Sequence, residues 1–215
     1  MSFQRARKPE QKQERRADIL DSAAALLREK GLDGASLNRI ARRAGIAKSG
    51  VYNYFESREE IFLHLFRDDL TELVDWAEPA LLPLAGSNDV PAVAALVAEG
   101  FATRPRLCEL NAAVASVLEQ NVSEETVLEF KTDIFGQALR LGAALHEALP
   151  AIGFDDLASS FGPMYALVGG LWPHHDPPPA VAAVLARPEF EVMRPDFRRD
   201  LDHGLTLMLR GLLAR

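Results

Sequence analysis

The sequence predicts an all-α chain: a three-helix unit built on a helix-turn-helix at the N-terminus, followed by a larger helical bundle. Apolar residues recur at helical period along almost all of the 215 residues, and no run alternates apolar and polar residues as a half-buried strand would. No Asn-Gly or Asp-Gly pair lies between two such runs to close a hairpin. Near the start, two short helical stretches flank Gly45, the spacing of two helices joined by a tight turn.

The first helix, over 11–30, sets Ile19, Leu20, Ala23, Ala24, Leu26 and Leu27 along one broad stripe, and Gly31 follows as a left-handed C-terminal cap. A short second helix starts at Ser36, whose hydroxyl can cap free amides, and turns Leu37, Ile40, Ala41 and Ala44 to one side. Gly45 supplies the positive φ of a turn, and the residues after it form the third helix. Ser57 with Glu60 reads as a capping box, so a fourth helix starts there and runs toward Trp76 and Glu78. A loop rich in Pro, Gly and Ser over 79–91 precedes helices at 90–103 and 106–120 and a long one over 123–149 that Pro150 closes. Another helix spans 154–171. A Pro-rich break, PHHDPPP, and short helical pieces separate it from the last helix, over 196–213.

Composition narrows the class. A chain that is 48% hydrophobic, 26% charged and 7% aromatic folds as a globular protein rather than a disordered or fibrous one. Its single cysteine, Cys108, rules out an intrachain disulfide and suits a reducing, cytoplasmic compartment. The basic start MSFQRARKPEQKQERR has no apolar stretch behind it, so no signal peptide is expected, and the longest uncharged run, 157–175, is broken by Gly, Ser and Pro, so no membrane partner is expected either. The net charge of -7 is unevenly spread: residues 1–58 hold 13 Lys and Arg against 7 Asp and Glu, and the remainder holds 11 against 24. A polyanion is therefore attracted to one end only.

Within that positive end lies GIAKSGVYNYFESREE, residues 45–60. On a 100° wheel Val51 and Phe55 fall together with Lys48 and Tyr52 at their flank, while Ser49, Gly50, Asn53 and Tyr54 point the other way. The first pair anchors; the rest are exposed. Short donors and acceptors for base edges, tyrosine hydroxyls for phosphates and a glycine that admits close approach are what a DNA major groove asks for. Gly inside a helix costs about 1 kcal/mol against Ala, so close approach explains its presence. In a helix-turn-helix the second helix enters the groove. The same spacing also fits a plain helical hairpin with solvated polar residues, a reading the charge excess weighs against.

The stretch SLNRIARRAGIAKSGVYNYFESREEIFLHLF, residues 36–66, resembles the DNA-binding signature of the TetR family of bacterial transcriptional regulators, with Ile40-Ala41, Gly45, Tyr52-x-Tyr54-Phe55 and Ser57-Arg58-Glu59 in register. The resemblance implies a DNA-binding domain over 1–56, of which 1–10 are a flexible basic arm with Arg5, Arg7 and Lys8, and a helical effector-binding and dimerisation domain over 57–215. It further implies a homodimer on a near-palindromic double-stranded operator, with repression relieved by a small apolar or amphipathic effector. Residue by residue, Ser36 matches a phosphate-contacting hydroxyl and Asn38 a base-reaching position. Lys48, Ser49, Tyr52 and Asn53 match positions at base edges, and Gly50 and Tyr54 positions near phosphates. Arg58 stands for the usual lysine after the Tyr-Phe pair and, as a bidentate donor, would clamp a phosphate. Ala47 stands where the family often caps the recognition helix with Ser or Thr, and Ser49-Gly50 where Gly or Ala followed by Thr or Ser is common.

In the acidic remainder, the helix over 123–149 carries Val127, Phe130, Ile134, Ala138, Leu141 and Leu145 on one stripe and Leu128, Phe135, Leu139 and Gly142 on another, so it is buried between layers and can wall a cavity. Phe101, Cys108, Leu118, Phe130, Met164, Tyr165 and Trp172 are the candidate lining of an apolar, partly aromatic effector pocket. Leu157, Phe161 and Val168, with Leu201, Leu205, Met208 and Leu212, suit a dimer interface of two helices per subunit, with glycines permitting close approach. His174, His175, Asp176 and His203 raise a metal site and Cys108 a redox sensor. Adjacent histidines in a Pro-rich loop more often face water, and a lone Cys on an apolar helix is usually inert, so no metal or cofactor is expected. Without a phosphate-binding Gly loop, a nucleophile elbow or a spaced carboxylate pair, the chain is not expected to be an enzyme. The rival reading is a helical protein-interaction module with a vestigial helix-turn-helix.

Overall fold

The computed structural model describes residues 3–214, with side chains from residue 10 onward save that of Ala115; it is helical, with no strand among the described residues. α1 (Phe3–Gly34) starts ahead of the expected position 11, and the side chains of Arg5, Arg7 and Lys8 lie outside the described ones. Its helical path is interrupted at Gly31, where φ is 65° and ψ -178°, a backbone state that glycine enters at no steric cost. Ile19, Ala23, Leu26 and Leu27 bury the expected stripe.

α2 (Leu37–Arg43) and α3 (Lys48–Val51) are joined by a turn in which Gly45 takes φ 69° and the Ile46 amide donates to Ala41 O at 3.0 Å. α4 (Arg58–Leu81) opens as the capping box predicts on one side only. Ser57 Oγ accepts from the Glu60 amide at 3.0 Å, but the Glu60 carboxylate reaches back to the amide of Glu56, at 2.5 Å, rather than to that of Ser57. α4 also continues through Pro79, where the sequence places a loop, because a proline in the last turn removes only one ladder bond.

α5 (Val90–Ala102) is capped by Asp89, which accepts from the Ala92 amide at 3.1 Å, with Pro91 in the first turn. α6 (Pro105–Ala113) widens into a π-helical turn over Val114–Leu118, where the sequence predicts an unbroken helix. Then follow α7 (Glu124–Ala148), α8 (Phe154–Leu171), α9 (Pro179–Leu185), a 3₁₀ segment over Pro188–Met193, and α10 (Phe197–Leu213), capped by Asp196 on the Arg199 amide at 3.0 Å.

The chain forms two compact units. The first comprises Met1–Asp68 with Ala113–Lys131; its core includes Ile19, Ile40, Val51, Phe55, Phe62 and Leu118, and the rings of Phe66 and Phe130 meet edge to face at 5.6 Å. The second comprises Asp69–Ala112 with Thr132–Arg215, where α10 packs on α5 and α8 and buries Leu201, Leu205 and Leu209. Here α5 approaches α4 so closely that a Cβ on Gly100 would stand 2.7 Å from Leu73 and Trp76. The buried Asp69 is held by a two-pronged pair from Arg106, at 2.8 and 2.5 Å. The hairpin of α9 and the 3₁₀ segment buries no residue at all, and Val192 is 91% exposed. Among the described residues, no helix is long and apolar enough to cross a membrane.

Candidate nucleic-acid interface

α3 starts on backbone geometry alone. Ala47 sits at its N-cap with extended φ/ψ of -68° and 150° and no side chain able to cap, and the Gly50 amide donates to Ala47 O at 2.8 Å. The turn is carried on by the amides of Asn53, Tyr54 and Phe55, which donate to Gly50 O and Val51 O at 3.3, 2.9 and 3.0 Å. Val51 and Phe55 are buried, which fixes the roll of the segment. Lys48, Ser49 and Asn53 are consequently exposed, and Tyr52 is 53% exposed. Among the described residues none of these four side chains has a hydrogen-bond or ion-pair partner. A Cβ on Gly50 would meet only Ile46, at 3.9 Å, so the protein itself leaves that position open.

The support beneath this face is polar and aromatic. The Arg16 guanidinium lies 4.6 Å from the Phe55 ring centroid, His64 meets the same ring edge-on at 5.7 Å, and Arg16 Nη2 is 2.5 Å from His64 Nε2. Glu60 Oε1 is 3.5 Å from His64. Sequence reasoning missed Arg16 and His64, since neither departs from the pattern of a surface helix in its own neighbourhood.

The remaining candidates are placed unequally. Ser36 stands at the N-cap of α2, yet its hydroxyl caps nothing and is left available, against the expected capping role. Asn38 is exposed on α2. Of the α2 arginines, Arg39 donates to Gly34 O at 2.8 Å and Arg43 to Glu29 at 2.7 Å, which leaves Arg42 exposed and without a partner among the described residues. Arg43 beside Glu29 also holds that carboxyl below its ordinary value. Arg58 is engaged at home: Nε and Nη2 donate to Glu59 Oε1 at 3.1 and 2.9 Å, and the guanidinium lies 5.5 Å from the Phe62 ring centroid. Tyr54 is half-buried and, with Gln11, Glu14, Arg15 and Asp18, lines a polar hollow of about 410 Å³.

These features invite comparison with known proteins. The family model of "Bacterial regulatory proteins, tetR family" matches residues 19–65, and that of the "Tetracyclin repressor-like, C-terminal domain" matches residues 64–215. The chain belongs to the TetR family. That family is one of DNA-binding transcriptional regulators, not of enzymes. The fatty acid metabolism regulator protein of Bacillus subtilis (strain 168) is 29% identical over 68 residues, 32% of this chain and 35% of that protein, so the likeness spans about a third of that relative's length. Two solved structures share the fold: a possible TetR family transcriptional regulator from Streptomyces coelicolor A3(2), with 22% identity, coverage of 93% of this chain and 98% of the other and a TM-score of 0.61, and the transcriptional regulator FadR from Bacillus subtilis in complex with stearoyl-CoA, with 18%, 92%, 97% and 0.56.

In this TetR-family chain the pocket candidates divide between the units. Leu118 and Phe130 belong to the first and are buried there; Phe101, Cys108, Met164, Tyr165 and Trp172 belong to the second. Burial pushes the Cys108 thiol up to about 12, with the nearby Asp69 charge adding to it, and Sγ donates to Phe101 O at 3.3 Å. Asn111 and Tyr165 bind each other twice, Asn111 Nδ2 donating to Tyr165 O at 3.0 Å and the Tyr165 hydroxyl to Asn111 O at 3.4 Å. Trp172 stacks on His175 at 3.8 Å and meets Phe197 edge-on at 4.9 Å. Among the described residues no three His, Cys, Asp or Glu side chains are grouped so as to hold a metal ion. Of the dimer candidates, Leu157, Val168, Leu201 and Leu205 are buried in the second unit's own core, while Phe161, Met208 and Leu212 are partly exposed.

Proposed function

We propose that this TetR-family regulator is a repressor that binds a near-palindromic operator as a homodimer through the Lys48, Ser49, Tyr52 and Asn53 face and is released by a small apolar or amphipathic effector. The observation that carries the reading is that this face is exposed and unpartnered while Val51 and Phe55 hold its orientation. Polar side chains that make no bond within the chain, on a short segment anchored by Val51 and Phe55, are suited to base edges. Gly50, Tyr54 and the free hydroxyl of Ser36 surround them as phosphate contacts, Asn38 adds a base contact from α2, and Arg58 joins them by exchanging Glu59 for a phosphate.

The effector reading is supported by the buried Phe101, Cys108 and Met164 and the half-buried Tyr165 and Trp172 of the second unit and by the stearoyl-CoA complex of the Bacillus subtilis FadR, a protein of the same fold. Because Leu201 and Leu205 are spent on the subunit core, the interface is built from the outer side of α8 and α10, from Phe161, Met208 and Leu212 together with Leu207, which is 57% exposed. Selection of duplexes from a random pool by the purified protein, with sequencing at a stated salt concentration, tests the core of the proposal. Enrichment of one palindrome is expected; recovery of no sequence above the salt-dependent background would overturn it.

A further inference from the structure

Glu56 directly follows the recognition segment, and nothing in groove chemistry calls for an acid there. Its carboxylate reaches a residue far along the chain: Oε1 accepts from the Ser123 amide at 2.7 Å. Ser123 immediately precedes α7, so that amide belongs to the free donors at the helix start. The neighbouring bonds complete a small cluster, with the Thr126 amide donating to Ser123 Oγ at 3.2 Å and the two hydroxyls 3.1 Å apart. The Ser123 amide first, then the Thr126 and Ser123 hydroxyls, hold the Glu56 carboxyl below the usual carboxylate range. The contact therefore persists at neutral pH and is lost only as pH falls through that lowered value. On the other side, the Glu56 amide donates to Glu60 at 2.5 Å, and Glu60 leads to His64, Arg16 and the Phe55 ring. All of these residues lie in the first unit.

We propose that Glu56 is a positioning residue for DNA recognition: its carboxylate clamps the first turn of α7 to the end of the recognition segment, so that residues 50–55 and 123–127 move as one body. A plain helix cap would stabilise the start of α7 and do nothing for α3. The clamp makes the recognition segment respond to whatever displaces residues 123–127 within the first unit. For its effect on operator binding the inference rests on the reading of the α3 face as the DNA surface; for the mechanical link it does not.

Hydrogen exchange on the full chain, read by mass spectrometry for the wild type, Glu56→Ala and Thr126→Val, separates the two. The clamp expects Glu56→Ala to speed exchange at 123–127 and, together with it, at the amides of Gly50, Asn53, Tyr54 and Phe55, and expects Thr126→Val to speed exchange at the same distant amides. Affinity for the enriched palindrome should fall about fivefold while binding to random duplex at low salt stays unchanged. Faster exchange confined to 123–127, with the recognition segment and operator affinity unaltered, would overturn the clamp and leave a helix cap. Should Glu56→Ala not fold, Glu56→Gln keeps the shape and removes the charge, and the same pair of segments is compared. A wild type that enriches no sequence would sink the regulator reading, and the exchange pattern would still decide the clamp.

Discussion

At the level of single residues, the side chains proposed to face base edges are those the fold leaves without partners. Lys48 is exposed and unpaired, so its removal takes nothing from the folded chain. Lys48→Ala should weaken operator binding by about tenfold and reduce the salt slope by about 1, with the melting temperature unchanged, in anisotropy titrations at several salt concentrations. A parallel loss of stability would show that the lysine belongs to the core side of α3. Cys108 is the opposite case. A thiol held near 12 is neutral in the fold, whereas the unfolded thiol ionises near its ordinary value of about 8.5, so the stability that burial contributes is complete below that value and drains away as pH rises toward 12. Titration with a disulfide reagent at pH 8 should accordingly find the native thiol slow and the denatured thiol fast, and fast reaction of the native protein would contradict the burial.

At the level of elements, much was legible in the sequence because helices announce themselves. The stripe Ile19, Ala23, Leu26, Leu27 gave α1, Asp196 gave the start of α10, and Phe154 and Leu171 bound α8 as the periodicity predicts. The turn at Gly45 and the anchors Val51 and Phe55 followed from residue chemistry alone. What escaped was set by distant packing. The π-helical turn over Val114–Leu118 has no local signature, and the bond from Glu56 to Ser123 joins residues that share no pattern. The inner face of α10 was readable as apolar, but whether it met its own subunit or another depended on α5 lying against it. Gly100 tests that packing between elements: a methyl at this position would stand 2.7 Å from Leu73 and Trp76, so Gly100→Ala should cost about 1–3 kcal/mol in denaturant unfolding as α5 is pushed from α4. An unchanged midpoint would mean that the two helices part without strain.

At the level of the whole molecule, the charge asymmetry gives the chain a direction. Residues 1–58 attract a polyanion that the remainder repels, so the net charge of -7 is no obstacle to DNA binding through that stretch. If two chains pair as proposed, sedimentation equilibrium should return twice the 23.6 kDa of one chain. Leu207→Glu, on the outer side of α10, should yield folded monomers that no longer hold the operator; a folded dimer that still binds it would move the interface elsewhere. The hairpin of α9 and the 3₁₀ segment carries a different consequence. Since it buries none of its residues, the second unit closes its core without it, and opening the polypeptide between Ala186 and Pro188 should cost local bonds, such as those from Arg194 to Leu185 O and Ala186 O, while the packing of α10 on α5 and α8 stays intact. New termini or an inserted reporter domain belong there, where the fold tolerates an interruption.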